Sequence, residues 1–127
     1  MERLRITSGG TYESIMGYCR AVRAGNLVVV AGTAPIMPGD ADPPSDSYGQ
    51  TRRCFEIIGA ALEEAGASFE HVVRTRIFLT PTADFDEVAR AHADIFRDIR
   101  PVNTTVGIHS LVDSRWHLEV EVDAVVG

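Results

Sequence analysis

Acidic residues alternate with apolar ones near the end of the chain, and they are the first candidates for chemistry. Over residues 117–126, His117, Glu119, Glu121 and Asp123 fall on one face of a predicted β-strand. Neighbouring carboxylates on such a face lie about 6.5–7 Å apart and, at an effective dielectric near 20, repel by about 2 kcal/mol. The face must therefore be solvated, neutralised by arginine, or used for chemistry. The opposite, apolar face consists of Leu118, Val120, Val122, Ala124 and Val126.

A second predicted strand, over residues 71–79, supplies the opposite charge. Its alternation places Arg74 and Arg76 on one face, together with Val72 and Phe78. The other face would consist of Val73, Thr75, Ile77 and Leu79. Two interpretations of the charged sheet face remain open. It is either a water-facing surface with incidental ion pairs or a surface buried against other subunits, with a few charges lining a cleft.

The histidines and the glycine-containing loop give no sign of a metal or a cofactor. His92 lies on the apolar stripe of a predicted helix, which indicates a hydrogen-bonded core histidine. His109 and His117 lie on separate elements without a nearby thiol, so no zinc site is predicted. Residues 32–35 lack the Gly-Lys-Ser/Thr ending of a phosphate-binding loop. The sequence therefore predicts no metal, nicotinamide, flavin or pyridoxal cofactor.

Composition limits the classes of partner. The 127 residues carry a net charge of −6, and every basic side chain is arginine, so a nucleic-acid partner is not expected. No apolar run follows the charged first residues, and no stretch approaches the ~20 apolar residues of a membrane span. Cys19 and Cys54 are predicted to be free thiols. These features predict a cytoplasmic protein that does not cross a membrane.

Local patterns predict an α+β order of elements. Residues 22–32 read as a β-hairpin, and residues 35–47 form a proline-rich loop. Apolar residues then recur at three- and four-residue steps over 47–65, which predicts a helix capped by Asp46 or Ser47.

The second half of the chain repeats this alternation of strands and helices. A second helix is predicted over 84–98, where Asp84 and Glu87 have the spacing of a capping box. A strand over 103–108 and the acidic strand described above complete the chain. With a short strand before the hairpin, the predicted order is β-β-β-α-β-α-β-β.

Several separate stretches, taken in their order and spacing, resemble one family. They are Gly17-Tyr18, residues 24–32 (AGNLVVVAG), Gln50-Thr51, residues 72–79 (VVRTRIFL), Pro101 with Thr104-Thr105-Val106, and residues 118–125 (LEVEVDAV). On these residues the chain is identified as a member of the Rid (YjgF-like, reactive intermediate deaminase, endoribonuclease L-PSP) superfamily. The resemblance implies one chorismate-mutase-like domain over residues 1–127, with a six-stranded mixed sheet and two helices on one face. It also implies a homotrimer with a central barrel and ligand clefts between subunits.

The resemblance implies an activity and a set of site residues. The best-known activity of the family is the hydrolysis of 2-imino or enamine acids to 2-keto acids and ammonia, without a cofactor. By position, Glu119 matches the glutamate that positions or activates the attacking water, and Tyr18 matches the tyrosine that closes the cleft. Ala31 and Gly32 match the strand end that lines the pocket. Thr105 stands where many members have cysteine.

One position departs from the pattern of the deaminating members, which place an arginine at the position of Asn103 to bind the substrate carboxylate. Asparagine is neutral, and charge-assisted hydrogen bonds are roughly twice as strong as neutral ones. Arg20 and Arg76 are the two candidates for a replacement cation. We therefore expect a divergent member that hydrolyses a small imine- or enamine-like metabolite with water activated by Glu119. The alternative is a non-catalytic trimer that binds or senses a small molecule, and an endoribonuclease role ranks third because the chain is acidic.

Overall fold

Six strands form one mixed sheet in the computed structural model, which describes residues 2–127. In chain order they are β1 Arg3–Ile6, β2 Ala21–Ala24, β3 Leu27–Thr33, β4 Val72–Leu79, β5 Val102–Gly107 and β6 Leu118–Val125. Across the sheet the order is β1-β2-β3-β6-β4-β5, in which β4 and β5 run parallel and the other neighbours antiparallel. The predicted six-stranded mixed sheet of an α+β domain is confirmed.

The two predicted helices pack on one face of this sheet. They are α2, Ser47–Glu64, and α3, Phe85–Phe96. The side chain of Asp46 accepts a hydrogen bond from the Gly49 N–H at 3.2 Å and so caps α2. None of the helices in the described part of the chain is long and apolar enough to cross a membrane.

A capping box at the start of α3 forms only in part. Asp84 accepts from the N–H of Glu87 at 3.2 Å, as the spacing predicts. The carboxylate of Glu87, however, accepts from the N–H of Tyr48 at 3.1 Å, in the first turn of α2. Glu87 therefore joins the two helices.

A third, short helix was not predicted from the sequence. This helix, α1, spans Thr11–Met16 and ends at Gly17, whose φ of 77° places it in the left-handed region that favours glycine. Its six residues are too few to show an apolar period. Tertiary contacts of Glu13, described below, hold it in place.

The core lies between the helices and the apolar face of β6. The alternating residues of β6 predicted to be apolar and buried are almost completely buried up to Ala124. Phe55 of α2 lies edge-on to Phe96 of α3, with ring centroids 5.4 Å apart, and edge-on to Phe69 at 6.1 Å. This packing fixes which face of the sheet the helices cover. We call the other face, away from α2 and α3, the open face.

The predicted side-chain directions of Val72, Val73 and His117 are wrong. Val72 is buried and Val73 is 47% exposed, the reverse of the prediction, because a register irregularity between Val72 and Arg74 inserts a residue into β4. His117 was expected on the charged face of β6, but it precedes the strand. Its Nδ1 lies 2.8 Å from the hydroxyl of Ser47, at the start of α2.

Candidate functional site

Glu119 lies on the open face of β6, against a glycine of the neighbouring strand. An irregularity in the β3–β6 pairing between Val30 and Thr33 brings Gly32 beside the Glu119 side chain. A Cβ atom at Gly32 would overlap Glu119 Oε1, so the carboxylate occupies the space that a larger residue would fill. The sequence-predicted residues Gly32 and Glu119 are therefore in direct proximity.

The environment of Glu119 favours proton uptake. Burial raises the pKa of its carboxyl group above the ordinary value of 4.5, the neighbouring Arg20 opposes this rise, and Glu121 adds to it. A carboxylate works best as a general base when its pKa lies closer to the working pH. The site thus has the electrostatic character expected of a group that accepts a proton from water.

Arg20 organises the residues around Glu119 and is itself almost completely buried, with 3% of its surface exposed. Its Nη1 donates to the carbonyl of Gly32 at 2.7 Å and to the hydroxyl of Thr33 at 3.1 Å. Its Nη2 lies 3.5 Å from both the hydroxyl of Tyr18 and a carboxylate oxygen of Glu13. Arg20 therefore holds the end of β3 and Tyr18 in place. Because its guanidinium is engaged within the chain, it is not free to bind a ligand carboxylate as the family arginine at position 103 would.

Glu13, which the sequence analysis did not single out, anchors α1 to this region. Burial raises the pKa of its carboxyl group, but hydrogen bonds from Ser8 and Gly10 and the charge of Arg20 together lower it below the ordinary value. The carboxylate therefore stays ionised and partners the buried guanidinium. The only sequence signal for this role was an acidic residue shortly before the Gly17-Tyr18 pair.

Tyr18 and Ala31 complete this half of the site. Tyr18 is 37% exposed, and the guanidinium carbon of Arg20 lies 5.6 Å from its ring centroid. The N–H of Ala31 donates to the carbonyl of Arg20 at 2.8 Å, which fixes the bulged strand end. We call Tyr18, Arg20, Gly32 and Glu119 the Glu119 cluster.

Asn103 and Thr105 lie elsewhere, on the helix-facing side of the edge strand β5. Asn103 pairs in register with Thr75, and its amide Nδ2 lies 2.9 Å from the Thr75 hydroxyl. The hydroxyl of Thr105 donates to Asn103 Oδ1 at 2.8 Å. Because Glu119 faces the open side of the sheet, one chain does not bring the two groups of predicted residues together.

His92 supports Asn103 from within the core. Its Nε2 lies 2.9 Å from the Thr75 hydroxyl, which confirms the predicted hydrogen-bonded core histidine. Its ring also lies 4.7 Å, centroid to centroid, from that of Phe96. Burial lowers the pKa of the imidazole below its ordinary value of 6.5, so His92 is neutral at physiological pH. We call Asn103, Thr105, Thr75 and His92 the Asn103 group.

Acidification is expected to destabilise the fold through His92. Because its pKa is lowered in the folded state, the unfolded chain takes up a proton first as the pH falls below about 6.5, and stability is lost at up to about 1.4 kcal/mol per pH unit. Urea unfolding of the wild type and of His92→Gln at pH 7.5 and 5.5 measures this contribution. The variant should lose less stability than the wild type over this interval. Equal losses would contradict the assignment of the effect to His92.

The open face next to the Glu119 cluster combines ion pairs with exposed apolar side chains. Arg74 Nε lies 3.6 Å from Asp123 Oδ2. Arg76 Nη1 lies 3.4 Å from Glu121 Oε1 and 3.6 Å from Asp123 Oδ2. Arg76 is therefore also paired within the chain. The exposed apolar residues on this face include Leu27, Val29, Val102, Val106 and Val125.

Two cavities border Arg20. One, of about 250 Å³, lies on the open face and includes Cys19, Ala31 and Glu121 in its lining. The other, of about 1080 Å³, opens between α1, residues 34–43 and the outer side of α2. Neither Glu119 nor Asn103 lines the larger cavity. Glu119 does not line the smaller cavity either, but its two neighbours Arg20 and Glu121 do, and both act on the pKa of its carboxyl group.

Comparison with known proteins identifies the family. A family model described as Endoribonuclease L-PSP matches residues 10–126. The chain belongs to the Rid (YjgF-like) family. Among solved structures, this Rid-family chain is similar to a YjgF/YER057c/UK114 family member from Mycobacterium tuberculosis. That likeness has a TM-score of 0.89 and 42% identity, and it covers 98% of this chain and 100% of that one.

Two curated relatives are also similar to this Rid-family protein. An uncharacterized protein of Streptomyces coelicolor is 39% identical over 97% of this chain and 92% of its own length. A RutC family protein of Pyrococcus abyssi is 35% identical over 74% of this chain and 75% of its own. These likenesses cover most or all of the domain described above.

Proposed function

We propose that this Rid-family protein is a cofactor-independent hydrolase that deaminates a small imine or enamine in clefts between its own subunits. The observation that carries the proposal is the carboxyl group of Glu119, whose pKa is raised and which lies beside Gly32 on the open face. Its neighbours Arg20 and Glu121 line a cavity on that face. Water is the only co-reactant. Both thiols, Cys19 and Cys54, are free, which is consistent with action in the reducing cytoplasm.

The reaction balances with one proton acceptor. The Glu119 carboxylate takes a proton from water as the water oxygen attacks the imine carbon. The electron pair of the C=N π bond moves to nitrogen, and Glu119 passes the proton to that nitrogen. In the resulting carbinolamine, Glu119 takes the hydroxyl proton and passes it to the amine, so the carbonyl group forms as the C–N bond breaks and ammonia leaves. Proton transfer from water to the Glu119 carboxylate requires no bound metal, because the carboxylate itself acts as the general base.

The placement of the two half-sites supports assembly from several copies. In one chain the Glu119 cluster and the Asn103 group face opposite sides of the sheet, and a second copy is the simplest source of the missing half. The open face offers exposed valines and leucine together with ion pairs that are already neutralised within the chain. We take the assembly to be a homotrimer with a central barrel, as family membership suggests.

Ammonia release from freshly generated 2-iminobutanoate and from its neutral carboxamide tests this function. The wild type should accelerate the release from the carboxamide over buffer, and Asn103→Arg should shift the preference to 2-iminobutanoate. Sedimentation should give a mass near three times the 13.8 kDa chain. If the wild type accelerates neither substrate, hydrolysis of this class is excluded, and saturable binding without product would support the non-catalytic alternative.

That alternative, a trimer that binds or senses a small molecule, is favoured by one observation. Asn103 stands where the family resemblance predicts an arginine. Both candidate replacement cations, Arg20 and Arg76, form ion pairs within the chain. An RNA-directed role has no comparable support, because the net charge is −6.

A further inference from the structure

The hydrogen bonds of the Asn103 group have a direction that bears on what this site binds. Asn103 Nδ2 lies 2.9 Å from the hydroxyl and 3.4 Å from the carbonyl oxygen of Thr75. A carbonyl oxygen is an acceptor only, so the amide nitrogen of Asn103, and not its oxygen, must face Thr75. The Thr75 carbonyl oxygen therefore determines which way the Asn103 amide is turned.

The same reasoning fixes the proton of the Thr75 hydroxyl. Because that hydroxyl accepts from Asn103, its single proton is available for His92 Nε2, 2.9 Å away. A neutral imidazole accepts this proton when its own hydrogen is on Nδ1. The lowered pKa of His92 is consistent with this arrangement. The chain of donors therefore runs inward, from Asn103 through Thr75 to His92.

The hydrogen-bonding groups of Asn103 and Thr105 that remain free for a ligand are acceptors. The hydroxyl proton of Thr105 is donated to Asn103 Oδ1 at 2.8 Å, so the Thr105 oxygen keeps its lone pairs for a ligand. Asn103 Oδ1 has a second lone pair, and its Nδ2 is directed toward Thr75. Asn103 is exposed and Thr105 is half-buried. Neither residue is charged, so a ligand group here meets two neutral acceptors.

From this we infer that Asn103 and Thr105 select a ligand group with N–H donors, a carboxamide where a 2-imino acid has its carboxylate. The oxygens of a ligand carboxylate would be repelled by the acceptor oxygens of Asn103 and Thr105, and neither residue carries a positive charge to offset this repulsion. Thr75 and His92 act as positioning residues that keep the Asn103 amide from turning over. The inference rests on the proposed function in that the cleft is the ligand site, but it does not depend on the chemistry of Glu119.

Two probes that differ only at this group test the inference. Titration calorimetry compares 2-oxobutanamide with 2-oxobutanoate on the wild-type assembly, and the carboxamide should bind at least about tenfold more tightly. Thr75→Val keeps the side-chain shape but removes the hydroxyl, so the amide can turn over and the preference should fall below about threefold. Thr51→Val is the matched control, because Thr51 is equally buried and its hydroxyl bonds only the carbonyl of Ser47.

The outcomes separate this inference from the proposed function. Equal or tighter binding of 2-oxobutanoate by the wild type overturns the inference, and so does an unchanged preference in Thr75→Val. A Glu119→Gln variant should lose turnover but keep the carboxamide preference, because the preference is set by the acceptors of Asn103 and Thr105, whereas Glu119 takes a proton from water at the imine carbon. Failure to bind either probe contradicts the inference together with the proposed cleft, whereas a carboxylate preference with turnover dependent on Glu119 contradicts the inference alone.

A second readout does not require a ligand. The side-chain amide protons of Asn103 should exchange with solvent more slowly than those of a free asparagine, because Thr75 accepts from this amide. In Thr75→Val the exchange should accelerate, and in Thr51→Val it should not. Fast exchange in the wild type would show that the amide is not held, and it would overturn the inference.

Discussion

Replacement of Glu119 by glutamine is expected to lower the rate of ammonia release by about 10²–10⁴-fold, the range over which a positioned general base contributes to catalysis. Glutamine keeps the size of the side chain but cannot take the proton from water. Steady-state rates on the neutral imine, with the uncatalysed rate subtracted, measure the effect. Full turnover in Glu119→Gln would exclude Glu119 as the base and would leave the cleft without an identified proton acceptor.

The matched control is Glu121→Gln, two residues further along the same face of β6. Glu121 is more than a third exposed and pairs with Arg76 at 3.4 Å, and exposed ion pairs of this kind are worth at most about 1 kcal/mol. Glu121 also lines the small cavity and adds to the raised pKa of Glu119, but it is the smallest of the causes and takes no proton in the proposed step. We therefore expect a change of less than about fivefold in rate. A loss as large as that of Glu119→Gln would mean that general disruption of the acidic face, and not the missing base, explains both results.

The free energy of unfolding of Glu119→Gln distinguishes a loss of catalysis from a loss of folded protein. A carboxyl group whose pKa is raised in the folded state stabilises the fold when it is protonated, and this contribution is lost as the pH rises above about 4.5. At neutral pH the ionised Glu119 therefore costs stability. Glu119→Gln should be at least as stable as the wild type at pH 7.5, by urea unfolding, although it is inactive.

Substitution of Gly32 by alanine is expected to lower turnover by about 10²-fold while the protein remains folded. The added Cβ would occupy the position of Glu119 Oε1, so the carboxylate must move away from the position in which it accepts a proton. The atom in the way is the end of a flexible side chain and not backbone. The cost in stability should therefore be about 1 kcal/mol or less.

Turnover and urea unfolding of Gly32→Ala test both halves of this expectation. Gly107→Ala is the control, since it adds the same methyl group to a strand glycine whose Cβ would meet no atom within 4 Å. Unchanged turnover in Gly32→Ala would show that the position of the Glu119 carboxylate beside Gly32 does not matter for the reaction. Unfolding of the variant would show that the close approach serves the fold and not the chemistry.

Much of the fold follows from local patterns in the sequence. The apolar stripe of α2 and its cap at Asp46 gave the helix to within one residue at its end, and the alternation in β6 gave both the strand and its buried face. The hairpin between β2 and β3 turns at Gly25-Asn26, inside the hairpin predicted over residues 22–32. These features were predictable because helix period, strand alternation, caps and turns depend on residues a few positions apart.

The candidate site was only partly predictable in the same way. The family resemblance named Tyr18, Gly32 and Glu119, and the structure places Gly32 beside Glu119 and links Tyr18 to Gly32 through Arg20. It did not show that Arg20 would be buried and paired with Glu13, because that contact depends on the unpredicted helix α1. The alternation of β5 put Asn103 and Thr105 on one face, but it could not decide which face of the sheet that would be.

The sequence by itself thus determined the six strands, the two longer helices, the order of these elements, the acidic face of β6 and the neutral residue at position 103. Only the tertiary structure decided that Asn103 turns toward His92 and the helices while Glu119 faces the open side. The physical reason is that the direction of a side chain on an edge strand depends on register with strands distant in sequence, and one irregular residue reverses it, as Val72 and Val73 show. The partners of Arg20 and Asn103, and with them the character of the site, follow from that register.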